Sequence, residues 1–292
     1  MNDYSKSNKF DWAKDSDRDD FDAIVRWIGS RPFPVEVRLA TLGEPFASRD
    51  FLAGASWLTR QEQVGFVELL TNGALLKRRL PQMAKTADMT KVSLWITHHH
   101  TEIEIERFIE NARFAQDHYG CFVVVNALLF PGNQREVADL RKAAEQAGLR
   151  FHVDIGYDPA TSGSSGPPSR SVPILQEPGG ADAVVEMGVD PEMLRLNLTA
   201  LDDPGGKACS AGHDYVYIGI DGDVYPCSRY YVLKEDRLGN VLDPDFELVP
   251  RPSQWTRCRA LAGCCNKEDF LNLAVSRSVG ERRDPSLGWT SR

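Results

Sequence analysis

The feature that most constrains the fold of this chain is a regular alternation of two kinds of segment between Asp15 and Gly156. Short apolar runs with the length and composition of strands alternate with segments, such as DDFDAIVRWIG, in which apolar residues recur at helical spacing. Repeated βα units form parallel sheets with right-handed crossovers, so the pattern predicts an α/β domain; a doubly wound sheet and a partial barrel both satisfy it. The five strand candidates are VEVRLAT, GFVELLTNG, KVSLWIT, CFVVVNALLF and RFHVDIG.

Two further features complete the organisation along the chain. The helical segment ALLKRRLPQMAK contains Pro81, which predicts an interruption or kink there. From Tyr157 the sequence becomes rich in Gly, Ser and Pro, which is typical of a linker. We therefore predict four parts: a βα domain over 1–157, a linker with a connecting helix over 158–206, a cysteine-containing module over 207–273 and a polar tail over 274–292.

Composition limits the class of protein. The net charge of −8 argues against a general nucleic-acid binder, which would be basic. No window approaches 18 consecutive apolar residues, so no membrane span is expected. The first residues, MNDYSKSNKFDWAKDSDRDD, are polar and acidic and do not resemble a secretory signal. The expected location is therefore cytoplasmic, where a cluster of cysteines is more often a metal site than a set of disulfides.

The cysteines are unevenly distributed. Cys121 stands alone at the start of CFVVVNALLF and is most simply a small buried apolar residue. The turn Asp221-Gly222 predicts a β-hairpin that folds Cys209 back toward Cys227. Thiolates are the ligands of zinc and of iron–sulfur clusters, and structural zinc sites usually contain C-x2-C pairs, which this chain lacks. The spacing therefore favours an iron–sulfur cluster, with structural zinc as the rival. The five cysteines apart from Cys121, which would be the ligands of this site, are Cys209, Cys227, Cys258, Cys264 and Cys265.

The segment CSAGHDYVYIGIDGDVYPCSRYY and the following LGNV resemble the C-terminal auxiliary-cluster domains of radical S-adenosylmethionine (radical SAM) proteins, called SPASM or, in the shorter form, twitch. CRALAGCC is similar to the closing cysteines of such domains. The resemblance implies a single 4Fe–4S cluster on Cys209, Cys227, Cys258 and one of Cys264 and Cys265, and the sequence leaves open which of these two it is. The matching residues outside CRALAGCC are Cys209, Ala211, Gly212, Ile218, Asp221 to Val224, Pro226, Cys227 and Leu238 to Asn240.

The first half of the chain resembles the same superfamily. LATLGEPF is similar to the G-G-E-P motif, whose backbone holds the amino group of S-adenosylmethionine; Gly43, Glu44 and Pro45 match, while Leu42 replaces the first glycine. The resemblance also implies that Thr97 and Asn126 contact the cofactor, with Asn126 near the ribose. A buried, hydrogen-bonded amide is an equally good interpretation of Asn126. The resemblance implies an incomplete (β/α)6 barrel whose first strand is missing, followed by a small hairpin-containing Fe–S domain.

Two other features of the first half affect the function. The run His98 to His100 ends a strand candidate, where barrel enzymes carry their sites, so it is a candidate for substrate or cofactor contact. The superfamily's C-x3-C-x2-C motif, which holds the cluster that cleaves S-adenosylmethionine, does not occur in the 292 residues. No catalytic residue can therefore be named.

Three interpretations follow. The first is a truncated form of an enzyme that modifies a peptide or small molecule by radical chemistry, with S-adenosylmethionine as a doubtful cofactor of this form. It would take electrons from a reductant protein such as a flavodoxin or ferredoxin. The alternatives are a catalytically inactive Fe–S relative and a structural zinc protein. The substrate and the oligomeric state cannot be deduced from the sequence.

Overall fold

The structure is a computed structural model, and it describes residues 10–41, 43–156, 173–189, 191, 194–195, 205–259 and 272–274. The chain divides into two compact units. The first contains the described residues of 5–128 and 133–154, and the second contains those of 129–132 and 155–292.

The first unit is built on a parallel sheet of five strands, which confirms the predicted α/β fold. The strands follow one another in the sheet in the order in which they occur in the sequence. Their pairings are in register over long stretches, for example from Val67 against Val92 to Thr71 against Ile96. The strands are β1 (Val35–Leu39), β2 (Val64–Thr71), β3 (Val92–Thr97), β4 (Phe122–Leu129) and β5 (Arg150–Ile155). The predicted incomplete barrel and Fe–S domain go beyond this observation and stay predictions.

Helices follow the strands as βα repeats require. Ser48 caps α2 by accepting the N–H of Phe51 at 3.1 Å, and Gly120 ends α4 in the left-handed conformation at φ 65°. Among the described residues, no helix is long and apolar enough to cross a membrane. The helices of this unit are α1 (Asp15–Gly29), α2 (Arg49–Thr59), α3 (Leu76–Met83), α4 (Ile105–Tyr119) and α5 (Gln134–Gln146).

Two details of the helices differ from the sequence expectation. Pro81 lies inside α3, which continues to Met83, so the helix is not interrupted there, and the alternative of a kink stays a prediction. The segment TEIEIERFIENARFAQDHYG has helical spacing from Thr101 onward, which predicts a helix there, but the helix begins only at Ile105. The preceding residues form a turn in which the N–H groups of Glu102 and Ile103 both donate to the carbonyl of His99.

The two faces of the sheet have different chemistry. One face is apolar: Leu69, Leu94, Ile96 and Val125 are fully buried. Ile96 lies close to Phe108 of α4, since both would contact a Cβ placed on Gly73. The neighbouring positions point to the other face and are largely polar or aromatic, because successive side chains of a strand alternate between faces. These residues are Arg38, Glu68, Ser93, Trp95, Thr97, Asn126, His152 and Asp154.

The second unit contains short elements around a small core. Tyr217 pairs with Tyr225 and Ile218 with Val224 in an antiparallel hairpin, and β9 joins this hairpin as a third strand. A separate pair of strands, β6 and β10, is antiparallel. Its strands are β6 (Ala208–Cys209), β7 (Tyr217–Ile218), β8 (Asp223–Tyr225), β9 (Gly239–Asn240) and β10 (Thr256–Arg257), and its helices are α6 (Pro173–Gln176), α7 (Gly180–Glu186) and α8 (Ser228–Leu233).

Candidate functional site

Glu44 joins the loop after β1 to the end of β2. Its Oε1 accepts the N–H of Phe46 at 2.9 Å and the hydroxyl of Thr71 at 2.7 Å. Its Oε2 accepts the N–H of Asn72 at 2.8 Å. The carboxylate is therefore occupied in holding two loops together. What this segment offers a ligand is the backbone at Gly43, which adopts φ 94°, and Leu42 lies outside the described residues.

The turn after β2 continues this network at the same edge of the sheet. Asn72 Nδ2 donates to Glu102 Oε2 at 2.6 Å, which connects the turn to the loop after β3. Gly73 has φ 75°, and its carbonyl accepts Nδ2 of the buried Asn111 of α4 at 2.9 Å. The C-terminal ends of parallel strands lie at one edge, which is where α/β proteins bind ligands. Three successive loops are thus fixed at that edge.

Thr97 and Asn126 stand side by side where β3 and β4 end. They are register partners, and Asn126 Nδ2 donates to Thr97 Oγ1 at 3.2 Å. The Asn126 side chain is buried, with 2% of its surface exposed, and its Oδ1 has no hydrogen-bond partner among the described residues. Exchanging the amide N and O would leave the nitrogen unsatisfied instead. A buried polar atom without a partner is costly, and at the C-terminal edge it marks a place where a ligand could supply one.

The three histidines separate into different environments. His98 is buried: its Nε2 is 2.9 Å from the carbonyl of Ile103, and 4% of its side chain is exposed. Burial lowers the pKa of His98, although the hydrogen bond to Ile103 and the charge of Glu136 oppose this. His100 is exposed, and its Nδ1 lies 3.5 Å from Glu136 Oε1. The His98 side chain therefore packs against the loop after β3, His100 is exposed, and contact of this run with a substrate or cofactor stays a prediction.

The polar face of the sheet carries charged and aromatic groups that the sequence analysis did not single out. Arg38 Nη1 lies 2.8 Å from Oε2 of Glu68, whose side chain is fully buried. The Arg38 guanidinium lies over the ring of Trp95, which in turn packs against His152 at a centroid distance of 4.9 Å. His152 Nε2 is 2.9 Å from Asp154 Oδ1. Alternation of polar and apolar residues in β3 (VSLWIT) and β5 (RFHVDI) was the signal that could have predicted part of this face.

In the second unit, three cysteines belong to one buried cluster. Cys209, Cys227 and Cys258 are 8%, 6% and 8% exposed, and all three are thiols rather than disulfides. Cys209 pairs with Thr256 across β6 and β10, and the Cys258 N–H donates to the carbonyl of Lys207 at 2.9 Å. Cross-strand partners such as Cys209 and Thr256 share a face of the ladder. Cys258 is two positions after Thr256, and the ladder continues through its N–H, so we expect Cys258 to lie on the same side as Cys209.

Cys227 reaches the cluster from the hairpin. It follows β8 and immediately precedes α8, so the hairpin brings it back toward Cys209. Asp221 and Asp223 shape this hairpin. Asp221 Oδ1 accepts the N–H of Asp223 at 3.2 Å, and Asp223 Oδ1 accepts from Asn240 Nδ2 at 2.9 Å. Both carboxylates therefore serve the turn, as their sequence pattern predicts.

Tyr230 contacts this cluster and was missed at the sequence level. It is 2% exposed, and its Oη accepts the N–H of Arg259 at 2.8 Å. Burial raises the pKa of Tyr230, and the neighbouring thiols of Cys258 and Cys227 raise it further, while the Arg259 hydrogen bond lowers it. Nothing in the sequence places a tyrosine of α8 beside a cysteine 28 positions later.

The predicted ligand set is only partly covered by the structure. Cys264 and Cys265 lie outside the described residues. Within the described ranges, no three His, Cys, Asp or Glu side chains form a group that could hold a metal ion. Cys209, Cys227 and Cys258 nevertheless bring three buried thiols into one cluster, which is the chemistry of a thiolate site, and the binding of metal stays a prediction.

Comparison with known proteins agrees with the fold. No protein-family model matches the chain, and no curated protein matches it in sequence. Among solved structures, it is similar to native anSMEcpe with bound AdoMet and Cp18Cys peptide, with a TM-score of 0.52, 15% identity and coverage of 91% of this chain and 74% of that one. Native anSMEcpe with bound AdoMet gives a TM-score of 0.50, 16% identity and coverage of 89% and 72%.

A third similar structure is SuiB of Streptococcus suis bound to S-adenosylmethionine, with a TM-score of 0.46, 16% identity and coverage of 78% of this chain and 57% of that one. At these identities the likeness shows the fold, and the two anSMEcpe structures carry that statement. The chain has the α/β fold that anSMEcpe has.

Proposed function

We propose that this chain is an iron–sulfur protein of the radical SAM type, which binds one 4Fe–4S cluster in its second unit. The observation that carries the proposal is the burial of three thiols, those of Cys209, Cys227 and Cys258, in one small core. Cys264 or Cys265 would supply the fourth thiolate. Such a cluster would supply electron transfer or a substrate-binding iron, and the chain's own part is to hold the thiolates away from water.

Metal uptake tests this proposal. Anaerobic reconstitution of the chain with iron and sulfide should give about four irons and four sulfides per chain, as one 4Fe–4S cluster requires. Cys209→Ala, Cys227→Ala and Cys258→Ala should each lose most of this iron, because each removes a thiolate. Cys121→Ala is the matched control, since Cys121 is equally buried but lies in the first unit. Stoichiometric zinc with no uptake of iron would establish the structural-zinc alternative instead.

The C-terminal edge of the sheet is proposed to hold S-adenosylmethionine. The support is the unsatisfied Oδ1 of Asn126 next to Thr97, together with the exposed loop backbone at Gly43. A ribose hydroxyl is a donor that Asn126 could accept. anSMEcpe, which has this fold, is described with bound AdoMet. Reductive cleavage is not part of the proposal, because the C-x3-C-x2-C motif does not occur in these 292 residues.

Equilibrium dialysis against labelled S-adenosylmethionine tests this second site. Asn126→Ala should weaken binding about tenfold, which corresponds to one hydrogen bond. Asn111→Ala is the matched control: its amide is equally buried but already donates to the carbonyl of Gly73. It should bind like the wild type if folded. Equal affinity in all three proteins would remove Asn126 from the site.

A peptide is the proposed partner, with a small molecule as the alternative. The support is fold-level: anSMEcpe is described with a bound Cp18Cys peptide. The polar face of the sheet offers groups that could contact such a partner, among them Trp95 and the His152–Asp154 pair. A reductant protein such as a flavodoxin or ferredoxin would be needed to reduce the cluster. An inactive Fe–S relative would show the same metal uptake, so the iron experiment does not depend on catalysis.

A further inference from the structure

The hydroxyl of Tyr230 is held next to the peptide of one predicted ligand. Its Oη accepts the N–H of Arg259 at 2.8 Å, and Arg259 directly follows Cys258. Tyr230 itself lies in α8, which begins immediately after Cys227. The ring is 2% exposed and belongs to the same buried cluster as the three thiols. The ring is thus carried by the helix that follows Cys227, and its hydroxyl is bound to the residue that follows Cys258.

The contact of Tyr230 with the N–H of Arg259 uses only the acceptor side of its hydroxyl. A phenol oxygen accepts and its O–H donates. The hydrogen bond from Arg259 uses the oxygen as an acceptor, which leaves the proton to be donated. Tyr230 shares one buried cluster with Cys227 and Cys258, and the N–H that its oxygen accepts belongs to the residue that follows Cys258. Once deprotonated, such sulfurs are charged acceptors, and hydrogen bonds to charged groups are the stronger ones.

We propose that Tyr230 is a positioning residue whose hydroxyl donates a hydrogen bond to a thiolate sulfur of the metal site formed by Cys227 and Cys258. This rests on the proposed function of the second unit. Hydrogen bonds to the sulfurs are one of the factors that set the reduction potential of an iron–sulfur cluster. A donor stabilises the reduced, more negative form, so Tyr230 raises the potential of the cluster above the value that burial alone would give.

The test is a redox titration, followed by electron paramagnetic resonance, of anaerobically reconstituted wild type, Tyr230→Phe and Tyr225→Phe. Tyr230→Phe keeps the buried ring and removes the donor, so it should retain iron and shift to a more negative potential. Tyr225→Phe is the matched control: Tyr225 is 2% exposed in the same core, but its charged neighbours are Asp223, Asp221 and Arg237. It should keep the wild-type potential. Wild-type potential in a Tyr230→Phe protein that retains iron overturns the inference.

A second variant decides the matter should Tyr230→Phe lose its iron. Replacement of Tyr230 by 3-fluorotyrosine keeps the ring and the hydroxyl but makes the hydroxyl a stronger donor. The potential should then rise above that of the wild type, and an unchanged potential would refute the hydrogen bond. A failure of the proposed function would look different, because the wild-type chain would then take up no iron at all. That outcome would overturn both the proposed function and the role of Tyr230.

Discussion

Glu44 illustrates how hydrogen bonds within the protein can give a motif residue a structural role. Its two carboxylate oxygens accept three hydrogen bonds, from Phe46, Thr71 and Asn72. Two of these donors lie 27 and 28 residues further along the chain. The sequence predicted that Glu44 belongs to a ligand-binding loop. It could not predict the side-chain partners, because contacts between distant residues depend on which loops the sheet brings together.

Replacement of Glu44 should therefore affect stability. Glu44→Gln turns one acceptor oxygen into an NH2 group that faces an N–H or O–H donor, and the lost charge-assisted hydrogen bonds should cost about 2 kcal/mol in the free energy of unfolding. Urea denaturation of the full chain measures this loss of unfolding free energy. Glu62→Gln is the control, since Glu62 is exposed in the turn before β2, and it should change stability by less than about 0.5 kcal/mol. Equal unfolding free energies of the two variants would contradict the assigned role.

At the scale of elements, the predictability of each segment depends on where its stabilising contacts come from. The five strands were predicted because each is an apolar run between turn residues, a signal within the segment itself. The start of α4 was predicted too early, because the Glu-rich residues before Ile105 favour a helix locally. In the structure, the carbonyl of Ile103 instead meets Nε2 of His98 at 2.9 Å. The burial of the His98 side chain has the same tertiary origin.

The turn between β2 and α3 provides a matched test of packing. Gly73 and Gly120 have similar backbone conformations, with φ of 75° and 65°. A Cβ at Gly73 would lie 2.7 Å from Cγ2 of Ile96 and 3.1 Å from Phe108, whereas a Cβ at Gly120 would meet nothing within 4 Å. Both alanine variants should lose about 1 kcal/mol in the free energy of unfolding, because alanine disfavours the left-handed conformation. Gly73→Ala should lose at least about 1 kcal/mol more through overpacking. Similar urea midpoints for the two would show that the turn can shift freely.

At the scale of the whole molecule, the two units differ in what stabilises them. The first has an extensive apolar core, with residues such as Phe46, Leu58 and Leu94 fully buried. The second combines strands of two or three residues with a core that consists largely of cysteines and tyrosines. Structure built from such short strands gains stability from anything that binds only its folded form. The clustered thiols of the second unit are therefore expected to contribute to its stability through the metal that we propose they bind.

Hydrogen exchange should reveal this difference. Removal of the cluster from reconstituted protein should speed amide exchange in β6, β8 and β10 and leave β2, β3 and β4 unchanged, because a ligand stabilises only the structure to which it binds. Mass spectrometry of deuterated peptides resolves the two sets of strands. A comparison of Cys209→Ala with Cys121→Ala is the control that needs no chemical removal of the cluster. Cys209→Ala should show the same selective loss of protection, and Cys121→Ala should not. Loss of protection in all six strands would mean that the two units unfold together, and unchanged exchange in the second unit would mean that its fold does not depend on metal.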